Sequence, residues 1–307
     1  MGRAESLARP PYLREGDRVR VVAPSGIVNR ERCEAGITLL KSWGLVVERG
    51  SHLYGGHNTF SGSDEERIHD LQEALDDRGV RAVFCARGGY GLSRIVDRID
   101  YRAFMDSPCW IVGYSDITAL HTWVNGFLGV ASVHGEMIAG ICDSGKEEIS
   151  GLSLRDMLFH GGSTLEWECG QYADGMAEGI LAGGNLSLIS NLAGATGAPV
   201  YGKRILFIEE TGEFLYRFDR MIEGLRLAGI SSAVAGILAG SFSDMEDTEI
   251  SFGRDANTIV TDSFGGKGYP VATSFPAGHT ADNRALMLGA FVRLTVTGGR
   301  CRLEYPD

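Results

Sequence analysis

Chemistry can be built around Ser115. It sits in Gly113-Tyr114-Ser115-Asp116, where an apolar run, Trp110-Ile111-Val112, meets a segment with helical potential. A sharp strand-to-helix turn exposes such a hydroxyl at the carboxyl edge of a sheet. It also leaves the next backbone N–H, that of Asp116, free to donate into an oxyanion hole. Only half of the usual G-x-S-x-G elbow is present, because Ile117 stands where the second glycine would be. Taken alone, the plainer reading is that Ser115 or Asp116 caps the following helix.

A serine hydroxyl becomes a nucleophile when a base takes its proton and a third group steadies that base. Of the seven histidines, His279 follows Gly278 in a glycine-flanked loop after a strand and is the best base by position. His134 lies at the same functional edge and is expected to line the pocket. His52, His57 and His69 fall in a polar loop or on a solvated helix face, His160 at a helix end, and His121 about two turns beyond Ser115. Glu209 is the telling acid, because a carboxylate at the end of the otherwise apolar run 204–210 is costly unless paired. The plain alternatives are a solvated strand end for Glu209 and Glu210 and a tight turn for the glycines at 88–91. The residues alone favour a serine hydrolase.

Positioning these groups needs a large, ordered scaffold, and the composition supplies one. The chain has 307 residues, 44% hydrophobic and 22% charged, enough for one large or two medium domains. Its formal net charge of −11 argues against a nucleic-acid or anionic-membrane partner, which would want a basic face. No apolar run approaches the span of a bilayer, and the first residues lack an apolar h-region, so the expectation is a cytoplasmic protein. Six scattered cysteines without a C-x-x-C pair read as buried reduced thiols, with no metal site implied.

The first half alternates strand and helix. Strands are expected at 18–23, 45–48, 82–86, 110–112 and 131–133. Helical spacing follows Pro24-Ser25-Gly26, a capping box opens at Ser63, and Leu92, Ile95 and Val96 suggest a helix after the glycine loop. Repeated strand-loop-helix order predicts a largely parallel sheet covered on both faces, flavodoxin-like or similar. Ligands of such sheets bind beyond the carboxyl ends of the strands, where the Pro24 loop, Arg87-Gly88-Gly89-Tyr90-Gly91, Ser115 and His134 all fall. The second half is more mixed, with strands at 178–182, 204–210, 236–242 and 271–275, helices at 216–227 and 256–264, and a closing hairpin. The expected fold is therefore α/β, with an N-terminal parallel-sheet domain over 1–165 and a more β-rich C-terminal domain over 175–307. The boundary falls between 161 and 175.

Several segments, taken together and in order, resemble the LD-carboxypeptidase family, which includes murein LD-carboxypeptidases and microcin immunity peptidases. They are Val22-Ala23-Pro24-Ser25-Gly26, Arg87-Gly88-Gly89-Tyr90-Gly91, Gly113-Tyr114-Ser115-Asp116, His134-Gly135-x-Met137 and Gly183-Gly184-Asn185-Leu186. Phe207-Ile208-Glu209-Glu210, Tyr216-Arg217-x-Asp219-Arg220-Met221 and Gly278-His279-x-x-x-Asn283 complete the set. The resemblance implies a Ser115-Glu209-His279 triad divided between the domains, with the N–H groups of Asp116 and Gly89 forming the oxyanion hole. Gly88, Tyr90, His134 and Glu210 are expected to contact substrate. The implied reaction is hydrolysis of the amide between an L-centre and a terminal D-amino acid, as in a murein tetrapeptide. The alternative is an immunity-type cleavage of a peptidyl- or aminoacyl-nucleotide conjugate. No metal or other cofactor is expected, and a homodimer is. Three departures leave the substrate subgroup open: Glu210 where aspartate is common, Glu136 where proline often stands, and Met287 at another frequent proline. Rival readings are a nucleotide-binding protein using Arg87-Gly88-Gly89-Tyr90-Gly91, which lacks a Walker lysine, and a silent peptide-binding module.

Overall fold

The computed structural model describes residues 7–143, 145–193 and 201–306. Two sheets carry the architecture. The first runs Leu286–Leu288, Ser132–His134, Trp110–Gly113, Val80–Cys85, Arg18–Val22, Val46–Arg49. Its first five strands in chain order are all parallel and follow the flavodoxin-like arrangement 2-1-3-4-5. The sixth comes from the far end of the chain, where Leu286–Leu288 pairs antiparallel with Ser132–His134. No sequence signal marked this short strand, because its three residues are all apolar and carry no alternation.

The strands of the first sheet are apolar on both faces because helices cover both sides. Val19, Val21, Val83, Phe84, Ile111 and Val112 are all buried. Ser63 forms the expected capping box with Glu66 and starts the Asp64–Asp76 helix. The segment after Gly91 differs from expectation: Leu92–Arg94 and Val96–Arg98 are two short 3-10 turns. Leu92, Ile95 and Val96 are buried as anticipated, but the spacing does not continue far enough to sustain an α-helix.

The second sheet has eight strands among the described residues. Its centre is parallel: Gly175–Asn185, Arg204–Thr211, Gly236–Ser243 and Val271–Ala272 run side by side. The Phe291–Thr297 and Arg300–Glu304 hairpin, with Leu165–Glu168, extends it antiparallel. The helices Leu186–Leu192, Leu215–Leu227 and Ala256–Phe264 supply Ile189, Phe218, Ile222, Ile259 and Phe264 to a core against the parallel strands. All six cysteines are free. Cys33, Cys85, Cys109 and Cys301 are buried, and Cys142 and Cys169 are partly exposed. Among the described residues no helix is long and apolar enough to cross a membrane.

The two units meet at the Thr118–Gly126 helix, which is buried nearly all round. Its first residue packs on Gly184, where an added Cβ would come within 2.5 Å of Thr118 Oγ1. The Thr118 hydroxyl oxygen also accepts from the Asn185 backbone N–H at 3.0 Å. Only glycine at 184 allows this approach, since its φ of +141° disfavours side chains as well.

Two loops at the carboxyl edge of the first sheet are joined by Arg67, a buried arginine on the capped helix. Its Nη1 donates to the carbonyls of Pro24 at 2.6 Å and Gly91 at 3.0 Å, and its Nη2 pairs with Asp64. Truncating it strands the Pro24 carbonyl and removes one donor each from the Gly91 carbonyl and Asp64, which keep the Arg94 N–H and the Arg94 guanidinium. Arg67→Met should therefore lower the unfolding free energy by about 2–4 kcal/mol in urea denaturation. A change below about 0.5 kcal/mol, the range of ordinary surface substitutions, would mean the loops hold their positions without it.

Candidate active site

A cleft of about 570 Å³ is lined from the first half by Gly88, Gly89, Tyr114 and Ser115, and from the second by Thr211 and His279. An equally large cavity beside Tyr12, Gly161 and Tyr305 has no serine or cysteine among its described lining residues, so volume alone does not locate chemistry.

Ser115 is where the backbone departs from the ordinary. The Trp110–Gly113 strand ends, Tyr114 stays extended, and Ser115 adopts φ +62°, in the left-handed region that a side-chain-bearing residue avoids. Such a conformation costs on the order of 1–3 kcal/mol and persists only when its surroundings enforce it. His121, one turn into the following helix, supplies part of that enforcement. Its Nε2–H donates to the Gly113 carbonyl at 2.8 Å, and its Nδ1 accepts from the Ser132 hydroxyl at 2.8 Å. Burial lowers its pKa to about 4, against the opposing pull of the Gly113 carbonyl, so the ring is a neutral strut.

Asp116 supplies the rest. Its Oδ2 accepts from the Ser25 hydroxyl at 2.6 Å and from the Leu92 backbone N–H at 2.9 Å. The elbow is thereby tied to the loop after the first strand and to the end of the glycine loop. Burial raises its pKa, with these two donors pulling the other way. Gly88 lies directly against the serine: an added Cβ would sit 3.0 Å from Ser115 Cβ and 3.2 Å from its Oγ. The backbone N–H groups of Asp116 and Gly89 have no acceptor among the described residues. For Asp116 this follows from its place in the first turn of a helix, where donors are unpaired.

His279 bridges the two halves. Its Nδ1–H donates to Glu209 Oε2 at 2.7 Å, and its Nε2 accepts from the Ser115 hydroxyl at 3.1 Å. The direction of both bonds follows from the carboxylate, which can only accept. Glu209 is 0% exposed, at the end of the Arg204–Thr211 strand. Burial works against a charged imidazole at 279, but the Glu209 hydrogen bond and charge, with Glu210 and Glu136 farther off, outweigh it. The pKa of His279 is raised above the usual 6.5. Gly278 makes room, since a Cβ there would fall 2.8 Å from Glu209 Oε2. Its N–H donates to Asn283 Oδ1 at 2.9 Å, which holds the histidine loop from within.

Three residues expected at the pocket are not brought to it. Glu210 points to the opposite face of its strand. It accepts from Asn185 Nδ2 at 3.0 Å, from the Ser187 N–H and hydroxyl at 2.7 Å each, and from the Thr211 N–H at 3.0 Å. It is thus spent on the start of the Leu186–Leu192 helix. His134 is fully buried behind the cleft, edge-on to Phe207 at 4.8 Å between ring centres, and burial holds its pKa well below the usual value. Tyr90 turns outward, exposed, and its ring packs against Phe60.

The sequence reading missed other groups in the cleft. Glu136, noted above only as a departure, is buried in its wall, and Lys146 reaches it at 3.0 Å. Lys146 caps the π-helical turn Glu147–Gly151 that runs into the Leu152–His160 helix, and its polar neighbours carry no periodicity that marked it in the sequence. The Glu136 position itself was the available signal, since a carboxylate in an otherwise glycine- and methionine-flanked segment needs a partner.

The family profile described as the LD-carboxypeptidase N-terminal domain matches residues 19–135, and that described as the LD-carboxypeptidase C-terminal domain matches residues 178–294. A carboxypeptidase-named protein of Streptomyces coelicolor is 37% identical over 98% of this chain and 97% of its own. The murein tetrapeptide carboxypeptidase of Pseudomonas aeruginosa is 29% identical over 89% of this chain and 91% of its own. The crystal structure of muramoyltetrapeptide carboxypeptidase from Oxalobacter formigenes superposes with a TM-score of 0.85 at 28% identity, covering 94% of this chain and 99% of that one. The microcin self-immunity protein MccF, in complex with aspartyl sulfamoyl adenosine, shares the fold at a TM-score of 0.84 and 21% identity, covering 98% of each chain. With both halves matched and a relative this similar along its whole length, the chain belongs to the LD-carboxypeptidase family of peptidases, peptidase S66.

Proposed function

We propose that this protein is a serine LD-carboxypeptidase that removes a terminal D-amino acid from a murein-type tetrapeptide, with Ser115, His279 and Glu209 as its triad. The observation that carries the reading is the continuous hydrogen-bonded chain from Ser115 through His279 to the buried Glu209, assembled from both halves. In this mechanism Ser115 Oγ attacks the scissile carbonyl while His279 Nε2 takes its proton. Glu209 holds the ring by Nδ1 and steadies the imidazolium that forms. The N–H groups of Asp116 and Gly89 donate to the oxyanion. His279 then protonates the departing amine, and water, activated by the same nitrogen, releases the acyl group. The murein substrate is favoured over a peptidyl-nucleotide conjugate because a 29%-identical relative carries the name murein tetrapeptide carboxypeptidase. The likeness to MccF is one of fold.

A panel of murein tetrapeptide, murein pentapeptide and a peptidyl-nucleotide conjugate, read by mass spectrometry, tests the substrate. Loss of the terminal D-amino acid from the tetrapeptide is the expected result, and cleavage of the conjugate alone would move the protein to the immunity type. Ser115→Ala should abolish turnover, with losses on the order of 10⁶ in kcat in a comparable triad, and leave the melting curve intact. Wild-type turnover by that variant would assign the nucleophile elsewhere.

Glu209→Gln and Glu210→Gln separate the two adjacent acids. Removing the charge beneath the base should cut kcat by about 10³ to 10⁴ with little change in KM, by analogy with an amide at the triad acid, for which the loss is about 10⁴. Glu210→Gln should act on stability, through the helix start it caps, and spare kcat. Equal kinetic effects would mean that the wrong carboxylate has been assigned.

Because the base must be neutral, activity should rise with pH through the pKa of His279. The acid limb of kcat/KM should therefore lie above pH 6.5, the ordinary imidazole value. In Glu209→Gln burial acts without its main counterweight, so the residual activity should show that limb shifted to lower pH. A limb that stays put in the variant would exclude His279 as the titrating base.

A further inference from the structure

Resting on the peptidase reading, we propose that Lys146, held by Glu136, binds the terminal carboxylate of the substrate and links that recognition to the loop carrying the base. A peptidase that releases only the last residue must read the free chain end, and a carboxylate is read by a cation positioned away from bulk water. Three cations line the cleft: Arg32, Arg87 and Lys146. Arg32 is paired with Asp143, and its side chain is 54% exposed. Arg87 donates Nη1 to the Ile27 carbonyl and is exposed. Lys146 is the withdrawn one, with a side chain 18% exposed. An attraction there is screened less than at the rim.

The ammonium has three donors, and among the described residues Glu136 Oε2, at 3.0 Å, is the one side-chain acceptor it meets. Two donors remain for an incoming carboxylate. Lys146 is not the sole partner of Glu136, since Asn283 Nδ2 approaches the same oxygen at 3.4 Å and the Met137 N–H approaches Oε1 at 3.3 Å. A buried ion pair is a weak source of stability, so its presence in a cleft wall calls for a use.

Asn283 gives that use a mechanical side. Its amide donates to Glu136, while its Oδ1 accepts from the N–H of Gly278, the residue before His279. Lys146, Glu136 and Asn283 thus form a continuous path from the cleft to the base-bearing loop, crossing from the first half of the chain to the second. Glu136 is a positioning residue in this scheme and Lys146 the contact with substrate.

Binding on a Ser115→Ala background separates recognition from turnover. The ligands are a murein tetrapeptide ending in D-Ala and the same peptide as its C-terminal carboxamide, compared by calorimetry. The free acid should bind roughly 10- to 100-fold more tightly, the range of a charge-assisted hydrogen bond. Adding Lys146→Met should erase that preference while leaving carboxamide affinity within about twofold, because only the charge-reading contact is removed. Since that change strands Glu136, the double variant Glu136→Gln with Lys146→Met is measured beside it and should lose the preference equally. Preference surviving in both variants, or lost in Arg87→Met or Arg32→Met in its place, overturns the proposal. Turnover by the wild type together with a preference indifferent to Lys146 condemns this inference alone. A Lys146-dependent preference without any turnover supports it and condemns the peptidase reading.

Discussion

The contact on which this molecule depends is the one between His279 and Glu209. A carboxylate withdrawn wholly from water at a strand end has a desolvation cost that only a close, well-directed donor can offset. Here one oxygen receives the imidazole Nδ1–H at 2.7 Å, and the other has no partner among the described residues. The acid therefore relies on the histidine as much as the histidine relies on the acid. The two glycines beside this pair belong to the same constraint. Gly278 clears Glu209 Oε2, and an added Cβ at Gly240 would sit 3.3 Å from Glu209 Cβ and 2.5 Å from the Ala277 carbonyl. The loop can lie flat over the strand end only with both side chains absent.

The serine presents the complementary problem. Its left-handed conformation has to be imposed, and the imposing groups come from every side. The His121 ring holds the Gly113 carbonyl from beneath, Asp116 anchors Ser25 and Leu92 in front, and Thr118 locks onto Gly184 and Asn185 of the other unit. Because the helix behind Ser115 is buried between the two units, the elbow cannot relax without parting them. Reach between Ser115 and His279 is thus set by inter-unit packing, and the 3.1 Å hydrogen bond reports that packing.

Much of this was legible in the sequence because it rests on local rules. Apolar runs ending in glycine marked the parallel strands, Ser63 with Glu66 marked a helix start, and the cost of a charge in an apolar strand singled out Glu209. What escaped depends on strand parity and long-range contact. Glu209 and Glu210 are equivalent in a linear reading, yet alternation places one under His279 and the other against the Asn185 amide and the Ser187 N–H. His134, at a strand end beside functional loops, looked like a pocket residue. Its last position in Ser132–His134 turns it instead onto Phe207 of the second sheet. Tyr90 shares a loop with Gly88 and Gly89, but successive residues of a tight turn face different ways, and the ring finds Phe60.

Placing Glu209 and His279 in one unit and Ser115 in the other has a physical consequence beyond assembly. The first sheet offers a carboxyl edge whose loops donate N–H groups, which suits developing negative charge. The second offers a strand end bearing a buried carboxylate, which suits the positive charge that forms on an imidazole. His279 spans the two units, as Thr118 and Asn283 also do. The return of Leu286–Leu288 to pair with Ser132–His134 then acts as a register pin. It follows the histidine loop by a few residues and ends in the sheet that holds the serine, so the length of chain between 279 and 286 fixes how far His279 can stand from Ser115.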